Sequence, residues 1–513
     1  MTKPRLKLPV ISSKVSSKAL LVLNSILALI YGFWWLDPSH IGHPLFYFSL
    51  FFGEVYHLFM AFTFWQTIWP QDYNPLLEKD QNAWESNPKV DIYITVAGEQ
   101  VEVVKKTVLA AKDLKYDKFS IYILNDGFIA KKDNWKQIEN LASDLGVFCI
   151  TRKSGSGAKA GNINNALKNT KGEIVVILDA DMMVHEDFLE KTIPYFGDPK
   201  VGFVQTPQYY KNYNKNIIAK TAWEQQEFFF GPIMEGKGRQ NSAIISGTNV
   251  AIRRKALDEA GGMCEDNIAE DFLTSLFIYQ KGWKAFYTKE VLAEGLAPQD
   301  LLSYYKQQHR WARGSLEVLF AHNPLFKKRL SWRQKIQYLS SAAYYFNGVV
   351  VLIDLLIPII FLYTGISPVA ATTTSFTLVF IPLILLIFLT IFKVSDGSLT
   401  FRAIAFSHSS FTLQLSALKS LLFREKTMFV VTSKKAQEGN FLFLAIPHIF
   451  FVILSVIGVF IALYRDGLTP SVATNVSWAF FNIVMFMPFI SVAYNWRGLF
   501  KLFAADRPAS VAS

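Results

Sequence analysis

The chain has 513 residues, of which 51% are hydrophobic, 15% are aromatic and only 18% are charged. This composition excludes an ordinary soluble enzyme and is typical of a membrane protein. The net charge of +11 would favour nucleic acid in a soluble protein, but beside a bilayer it indicates anionic headgroups, so we expect no nucleic-acid partner. The two cysteines, Cys149 and Cys264, have the spacing of neither a metal site nor a disulfide framework and are predicted to be packing residues.

Six apolar segments are long enough to cross a bilayer. Two precede a long polar region and four follow it, at about 19–36, 44–69, 342–364, 376–392, 441–463 and 476–494. No small-residue cleavage site follows the first segment, which predicts a retained anchor rather than a signal peptide. Lysine and arginine are scarce in the three loops predicted to be outside, where only Arg465 occurs. The positive-inside rule therefore predicts cytosolic termini and a cytosolic polar region.

Strand and helix signals alternate after the second span. The predicted strands are 90–96, 119–124, 147–151 and 173–178, and the predicted helices between them are 101–113, 135–145 and 162–169. This alternation predicts a mostly parallel α/β sheet, which binds ligands at the carboxyl ends of its strands. The predicted domains are an arm with two spans (1–70), an α/β domain (71–300), interface helices (301–341), two spans (342–393), an interface helix with a loop (394–440), and two spans with a tail (441–513).

Polar residues follow several of these strands. Asp179 and Asp181 come after the apolar strand IVVIL and can hold a divalent cation together with a diphosphate, although a solvated turn has the same sequence. Asp126 lies in an Asn-Asp-Gly turn and can accept hydrogen bonds from a base or ribose. Lys159 precedes a predicted helix and suits phosphate, with capping by Asn162 as the structural alternative.

Two further groups precede the third span. Glu270 and Asp271 begin a predicted helix over 272–280, either as first-turn acids or as a general base. Gln307, Arg310 and Trp311 lie on a helix rich in tyrosine and glutamine, where the tryptophan can stack on a sugar and the arginine can stabilise a leaving group. A basic interfacial helix is the alternative.

The loop between the fourth and fifth spans contains FVVTSK at 429–434, preceded by an amphipathic stretch at 411–423 that predicts a helix on the membrane surface. Taken in order, all these motifs resemble the processive family-2 glycosyltransferases, and within them the cellulose synthase group, from about residue 90 to 440. The resemblance implies a GT-A-type α/β domain with a mostly parallel sheet, inserted in a six-helix transmembrane bundle with amphipathic interface helices.

The resemblance also implies roles for single residues. Asp126 matches the aspartate that faces uracil, Asp179 and Asp181 match the metal site for Mg²⁺ or Mn²⁺, and Asp271 matches the general base. Segments 158–162, 204–208 and 247–249 match regions beside the nucleotide, donor and acceptor, and the last of these contains Thr248. The remaining matches are to the QxxRW and FxVTxK motifs, in Gln307, Arg310, Trp311, Phe429, Val431, Thr432 and Lys434.

The implied reaction is inverting, single-displacement transfer from a UDP-sugar to a growing polysaccharide. We expect Thr95, Glu99, Asp126 and Lys159 to bind the donor, Glu270 to assist Asp271, and the 429–434 loop to close over the nucleotide. The family's Thr-Glu-Asp motif reads Ala269-Glu270-Asp271 here, Ser246 stands where the group often has cysteine, and no cyclic-di-GMP-binding domain is expected after the last span.

The sequence therefore predicts a multi-pass plasma-membrane synthase that polymerises a sugar, with glucose favoured, into a β-glucan and translocates it. Three alternatives remain open: a non-processive lipid glycosyltransferase, a synthase of another β-polysaccharide that contains N-acetylglucosamine or forms a capsule, and a transporter with a nucleotide-sensing domain. Linkage, regulation and oligomeric state are not predicted from these residues.

Overall fold

The computed structural model describes residues 13–70, 87–425, 437 and 439–494. The strands are β1 (Val90–Val96), β2 (Phe119–Asn125), β3 (Phe148–Thr151), β4 (Ile174–Asp179), β5 (Met183–Val184), β6 (Val201–Gln205), β7 (Tyr209–Tyr210), β8 (Val250–Arg253), β9 (Lys284–Tyr287) and β10 (Ala293–Gly295). The helices before the third predicted span are α1 (Ser13–Trp35), α2 (Pro44–Thr67), α3 (Val101–Lys112), α4 (Trp135–Asp144), α5 (Ala158–Asn169), α6 (Phe188–Thr192), α7 (Ile217–Phe228), α8 (Met234–Arg239), α9 (Arg254–Ala260), α10 (Glu270–Gln280), α11 (Leu301–Ala321) and α12 (Trp332–Ala343). The helices that follow are α13 (Asn347–Thr364), α14 (Thr373–Val394), α15 (Phe401–Ser409), α16 (Phe411–Leu422), α17 (Leu442–Asp466) and α18 (Pro470–Ala493).

A seven-stranded sheet forms the middle of the polar region, in the order β3-β2-β1-β4-β8-β6-β9. Strands β3, β2, β1 and β4 run parallel, β9 is parallel to β6, and β8 is antiparallel to both its neighbours. A small second sheet has the order β5-β10-β7. The predicted mostly parallel α/β architecture is confirmed.

Both faces of the sheet are buried, which explains why β1 and β4 read as nearly continuous apolar runs. On one face Ile92 and Ile94 of β1 pack with residues of α3 and α4. On the other face Tyr93 packs with residues of α5 and α10 and with Tyr338 of α12. With helices on both faces, the ends of the strands are the places where polar side chains can meet a ligand.

Six helical stretches among the described residues are long and apolar enough to cross a membrane. They are Ser17–Trp35, Pro44–Thr67, Trp332–Thr364, Thr373–Val394, Leu442–Asp466 and Pro470–Ala493. The six predicted spans are confirmed as apolar helices. The third stretch begins earlier than predicted because α12 continues into α13 through a single 3-10 turn at Tyr344–Phe346.

One predicted helix start is wrong and another is confirmed. Helix α5 begins at Ala158 rather than at residue 162, because Gly157 in the left-handed conformation (φ +78°) forms its N-cap. Asn162 is therefore inside the helix and does not cap it; its side chain donates to the Leu124 carbonyl at 2.9 Å. Helix α10 begins at Glu270, so both acidic residues lie in its first turn.

The α/β domain is joined to the apolar helices by a buried polar network around Lys237 of α8. Its ammonium donates to the Gln337 carbonyl at 2.7 Å and to Gln337 Oε1 at 3.0 Å, and only 2% of the lysine is exposed. Gln337 in turn donates to Gln66 Oε1 and Thr67 Oγ1 at the end of α2, each at 2.7 Å. Burial lowers the pKa of Lys237 to about 7.

Candidate active site

The carboxyl ends of β1, β2 and β4 bring together several residues of the predicted site. Thr95 is paired with Leu124 and Asp179, and Val96 is paired with Asn125, so the chain leaves all three strands at one edge. Thr95 Oγ1 donates to the Leu178 carbonyl at 3.2 Å. This edge is where a parallel sheet presents its ligand site.

Glu99 lies just beyond β1, and its carboxylate accepts a hydrogen bond from the Ala97 N–H at 2.6 Å. Desolvation in the cleft raises the pKa of Glu99, and the negative charges of Asp179 and Asp181 raise it further. Glu99 therefore lies within electrostatic range of the two aspartates that the sequence assigned to a metal.

Asp126 forms a buried, bidentate ion pair with Arg152. The guanidinium donates to the two carboxylate oxygens at 2.8 and 2.6 Å and also to the carbonyls of Ser156 and Ala158, each at 2.9 Å. Arg152 was missed by the sequence reasoning. Arg152 follows the end of β3, and Asp126 follows the end of β2. Because Asn125 is paired with Thr151, Asp126 and Arg152 lie side by side.

Lys159 lies in the first turn of α5, not ahead of the helix as predicted. Its ammonium contacts Asp179 Oδ1 and donates to the Gly247 carbonyl at 2.8 Å. Burial opposes its charge, but the carboxylates of Asp179, Glu270 and Asp271 outweigh that effect and raise the pKa of Lys159. A single cation thus lies among the carboxylates of both halves of the site.

A glycine is required beside this lysine. Gly247 has φ +81°, and a Cβ atom at this position would lie 2.8 Å from Asp271 Oδ2. Its neighbour Thr248 is buried and accepts a hydrogen bond from the Asp179 N–H at 2.9 Å. The 247–249 segment therefore holds the backbone of the first aspartate and lies against the predicted base.

The chemistry of Asp179 and Asp181 fits a divalent cation. Asp181 is buried and accepts from the Leu296 N–H at 3.0 Å, whereas the Asp179 side chain is 41% exposed. Within the described ranges, no group of three or more His, Cys, Asp or Glu residues is arranged to hold a metal. Two carboxylates are nevertheless what Mg²⁺ takes when phosphate oxygens and water complete its shell.

Glu270 and Asp271 occupy the first turn of α10. Asp271 Oδ1 accepts a hydrogen bond from the Phe272 N–H at 2.7 Å. Burial raises the pKa of Glu270 to about 8, with the neighbouring Asp271 adding to the effect, and burial also raises the pKa of Asp271. Both carboxyls therefore take up a proton more readily than a solvent-exposed carboxylate, as a general base must.

Helix α11 passes close to this turn. It is called the acceptor helix below because its Trp311 is predicted to stack on the acceptor sugar. A Cβ atom at Gly314 would lie 2.6 Å from the Ala269 Cβ and 2.7 Å from its nitrogen. Gln307 is buried and hydrogen-bonded to Tyr210, Arg310 lies in electrostatic range of Glu270, and Trp311 is half-buried. The structure thus brings the acceptor helix to the acidic pair, whereas Phe429, Val431, Thr432 and Lys434 lie outside the described residues.

The comparisons with known proteins support the family resemblance. The model of the family described as Glycosyl transferase family group 2 matches residues 174–392, which include the Asp179–Asp181 pair, the acidic turn and the acceptor helix. This part of the chain is therefore similar to the family-2 glycosyltransferases, and the predicted mostly parallel α/β domain joined to six candidate membrane spans is confirmed.

Two curated relatives match most of the chain. Cellulose synthase 2 of Novacetimonas hansenii is 32% identical over 366 residues, covering 69% of this chain and 22% of that protein. The UDP-forming cellulose synthase catalytic subunit of Pseudomonas fluorescens is 29% identical, covering 95% of this chain and 68% of that protein. A mannosyltransferase from Pyrobaculum calidifontis, solved with GDP-Man and Mn²⁺, has a TM-score of 0.48 at 16% identity, covering 80% of this chain and 99% of that one.

This chain is thus a multi-pass membrane protein homologous to the catalytic subunits of bacterial cellulose synthases. It spans about a fifth of the first of these relatives and about two thirds of the second.

Proposed function

We propose that this protein is a processive, inverting polysaccharide synthase that transfers sugar, with glucose favoured, from a UDP-sugar to a growing β-glucan and translocates the product through its spans. The observation that carries the proposal is the contact between the acidic turn at Glu270–Asp271 and the acceptor helix, at Ala269 and Gly314. It joins the ligand edge of the sheet to a helix that leads, through α12, into the third span.

The donor binds along the strand ends. In this proposal, Thr95, Glu99 and Asp126 surround the nucleoside, with Arg152 holding the Asp126 carboxylate in place. Lys159 and Thr248 lie on the diphosphate side, where Lys159 adds positive charge. Because Lys159 contacts Asp179, it links the donor's charge to the aspartate pair.

Asp179 and Asp181 would hold Mg²⁺ or Mn²⁺. A bound divalent cation neutralises the charge that develops on the leaving diphosphate. The donor set supports this assignment, since it offers two carboxylates and leaves the remaining ligand positions to phosphate oxygens and water.

Proton transfer is assigned to the acidic turn. The acceptor hydroxyl oxygen forms a bond to the anomeric carbon, the bond from that carbon to the diphosphate breaks, and UDP leaves with its electron pair. Asp271 takes the hydroxyl proton, since burial raises its pKa, and Glu270 lies beside it in the same turn. Displacement from the opposite face inverts an α-linked donor and gives a β-linked product.

The acceptor lies against the acceptor helix. Trp311 supplies a face for stacking a sugar ring, and Arg310 supplies charge near the acidic turn. The distribution of basic residues supports a plasma-membrane orientation with both termini and the α/β domain in the cytosol. Phe429, Thr432 and Lys434 remain predicted contacts to the nucleotide.

The test is to incubate the purified protein in liposomes with single UDP-sugars and Mg²⁺ or Mn²⁺, and to measure UDP release, product length and linkage. We expect a long β-linked glucan from UDP-glucose. Transfer of a single sugar to lipid would favour the lipid glycosyltransferase instead, and a polymer from another UDP-sugar would correct the substrate. Solute transport without UDP release would overturn the assignment as an enzyme.

A further inference from the structure

Two neighbouring residues of α7, Glu224 and Gln225, hold the α/β domain, the acceptor helix and a third helix together. The third helix is α15, called the surface helix below. It is distinct from the helix at 411–423 that was predicted on the membrane surface, and it packs on both α7 and the last span, α18. The proposed reaction assigns no role to either residue. Both make specific side-chain contacts that reach toward the acceptor site.

Glu224 fixes the start of the surface helix. Its carboxylate is 5% exposed and accepts from Arg402 Nη2 and from Thr400 Oγ1, each at 2.6 Å. The Thr400 hydroxyl also caps the helix, since it accepts from the Ala403 N–H at 3.3 Å. A buried carboxylate with charged and neutral donors on its two oxygens holds a defined geometry better than apolar packing would.

Gln225 joins the surface helix to the acceptor helix. Its amide Nε2 donates to the Ala403 carbonyl at 3.2 Å and to Ser407 Oγ at 3.0 Å. Its Oε1 accepts from the Tyr304 hydroxyl at 2.9 Å. The hydrogen bonds of this amide thus connect two helices that are far apart in sequence.

Tyr304 is the residue through which this joint reaches the acceptor. It is fully buried on the acceptor helix, two turns before Trp311 and on the same side of the helix. Its ring meets Phe406 of the surface helix edge-on at 5.7 Å, and Phe406 in turn meets Phe489 of the last span at 5.6 Å. A shift of the surface helix is therefore transmitted to the acceptor helix through polar and aromatic contacts together.

We propose that Glu224 and Gln225 are positioning residues that set the register of the acceptor helix against the surface helix, and thereby how long the polymer end stays opposite the base. This inference rests on the proposed synthase function and adds a determinant of product length to it. Neither residue lies at the strand ends that bind the donor, so an effect on product length can be measured separately from an effect on donor binding.

The principal variant is Gln225→Glu, which keeps an acceptor for Tyr304 but removes the amide that donates to the surface helix. Because two bonds of about 1 kcal/mol each are lost, we expect the mean product to shorten about thirtyfold while the donor KM stays unchanged. Tyr304→Phe removes the hydroxyl that donates to Gln225 and also bonds to Ser410, and we expect it to shorten the product about fivefold. Product length is read by size-exclusion chromatography of labelled polymer, with UDP release measured in parallel.

Two variants serve as matched controls. Lys220→Gln changes an exposed position on the same helix, and Thr400→Ser keeps the hydroxyl that Glu224 binds. Thr400→Val removes that hydroxyl and is the corresponding test variant. We expect wild-type lengths from Lys220→Gln and Thr400→Ser, and shortening from Thr400→Val. If Gln225→Glu fails to fold, Tyr304→Phe and the Thr400 pair give the same reading. Unchanged lengths in folded variants, or a donor KM that changes with length, overturn this inference. A wild-type protein that makes no polymer from any UDP-sugar overturns the proposed function instead.

Discussion

Two carboxylates at the strand ends and two in the acidic turn are stabilised in opposite ways. On the strand-end side, Asp126 is paired with Arg152 and Asp179 contacts Lys159. On the acidic turn, no ion pair joins Glu270 or Asp271 to another described residue, and burial raises the pKa of both. An ion pair fixes the position of a carboxylate, whereas burial without an ion pair raises its pKa and favours proton exchange. The first side therefore suits binding and the second suits proton transfer.

Replacing the predicted base has the largest expected effect. Asp271→Asn removes the proposed proton acceptor from the buried acidic turn, and we expect polymer synthesis to fall by about a thousandfold. UDP release and labelled polymer are measured at saturating donor. Asp258→Asn, at an exposed position on α9, is the control and keeps wild-type activity. Near-normal synthesis by Asp271→Asn would show that Asp271 is not the proton acceptor.

Breaking the paired side has the next largest effect. Arg152→Met leaves Asp126 buried without its partner, which destabilises the domain by about 3 kcal/mol and weakens donor binding. Thermal unfolding in detergent and the donor KM provide the readout. The double variant Asp126→Asn with Arg152→Met removes the stranded charge and recovers much of the stability. A double variant as unstable as the single one would contradict the role assigned to the pair.

Lys237 extends the comparison to a buried cation. Its pKa falls from the usual 10.5 to about 7, so between these values the unfolded chain binds more protons than the folded one. Stability then rises with pH across that window, by about 1 kcal/mol per pH unit, and the full cost of burying the charge is present below it. We expect Lys237→Met to flatten this rise, as measured by unfolding at a series of pH values. An equally steep rise in the variant would assign the effect to other groups.

The smallest expected effect is a shift in the pH profile. The base acts when deprotonated, and the raised pKa values of the acidic turn mean that kcat is lost as pH falls through them. Glu270→Gln removes the carboxyl whose pKa is raised to about 8, so the limb of the profile near that pH is lost and the remaining limb lies at lower pH. Initial rates of UDP release across the pH range test this, with Glu259→Gln, an exposed acid on α9, as the control. An unmoved limb would show that Glu270 does not influence the base.

The fold was readable from the sequence where burial leaves a continuous apolar pattern. Strand β1, fully buried, was predicted with its observed bounds, and the apolar spans were predicted closely except for the start of the third stretch. The carboxyl ends of β1, β2 and β4 meet as expected. Arg152 was not found, because its role depends on the adjacency of β2 and β3 and not on any spacing along the chain. The start of α5 was missed because a glycine with positive φ caps it. The joint at Glu224 and Gln225 could not be predicted, since its partners are up to 182 residues away.

The close approach of Gly314 to Ala269 makes these two positions interdependent for protein engineering. An added methyl group at 314 would meet backbone nitrogen as well as a side chain, so the acceptor helix itself would have to move. A threonine at 269, as the family motif has it, would need space that this glycine alone provides. The distance between base and polymer end can thus be adjusted at two small residues that take no part in the chemistry.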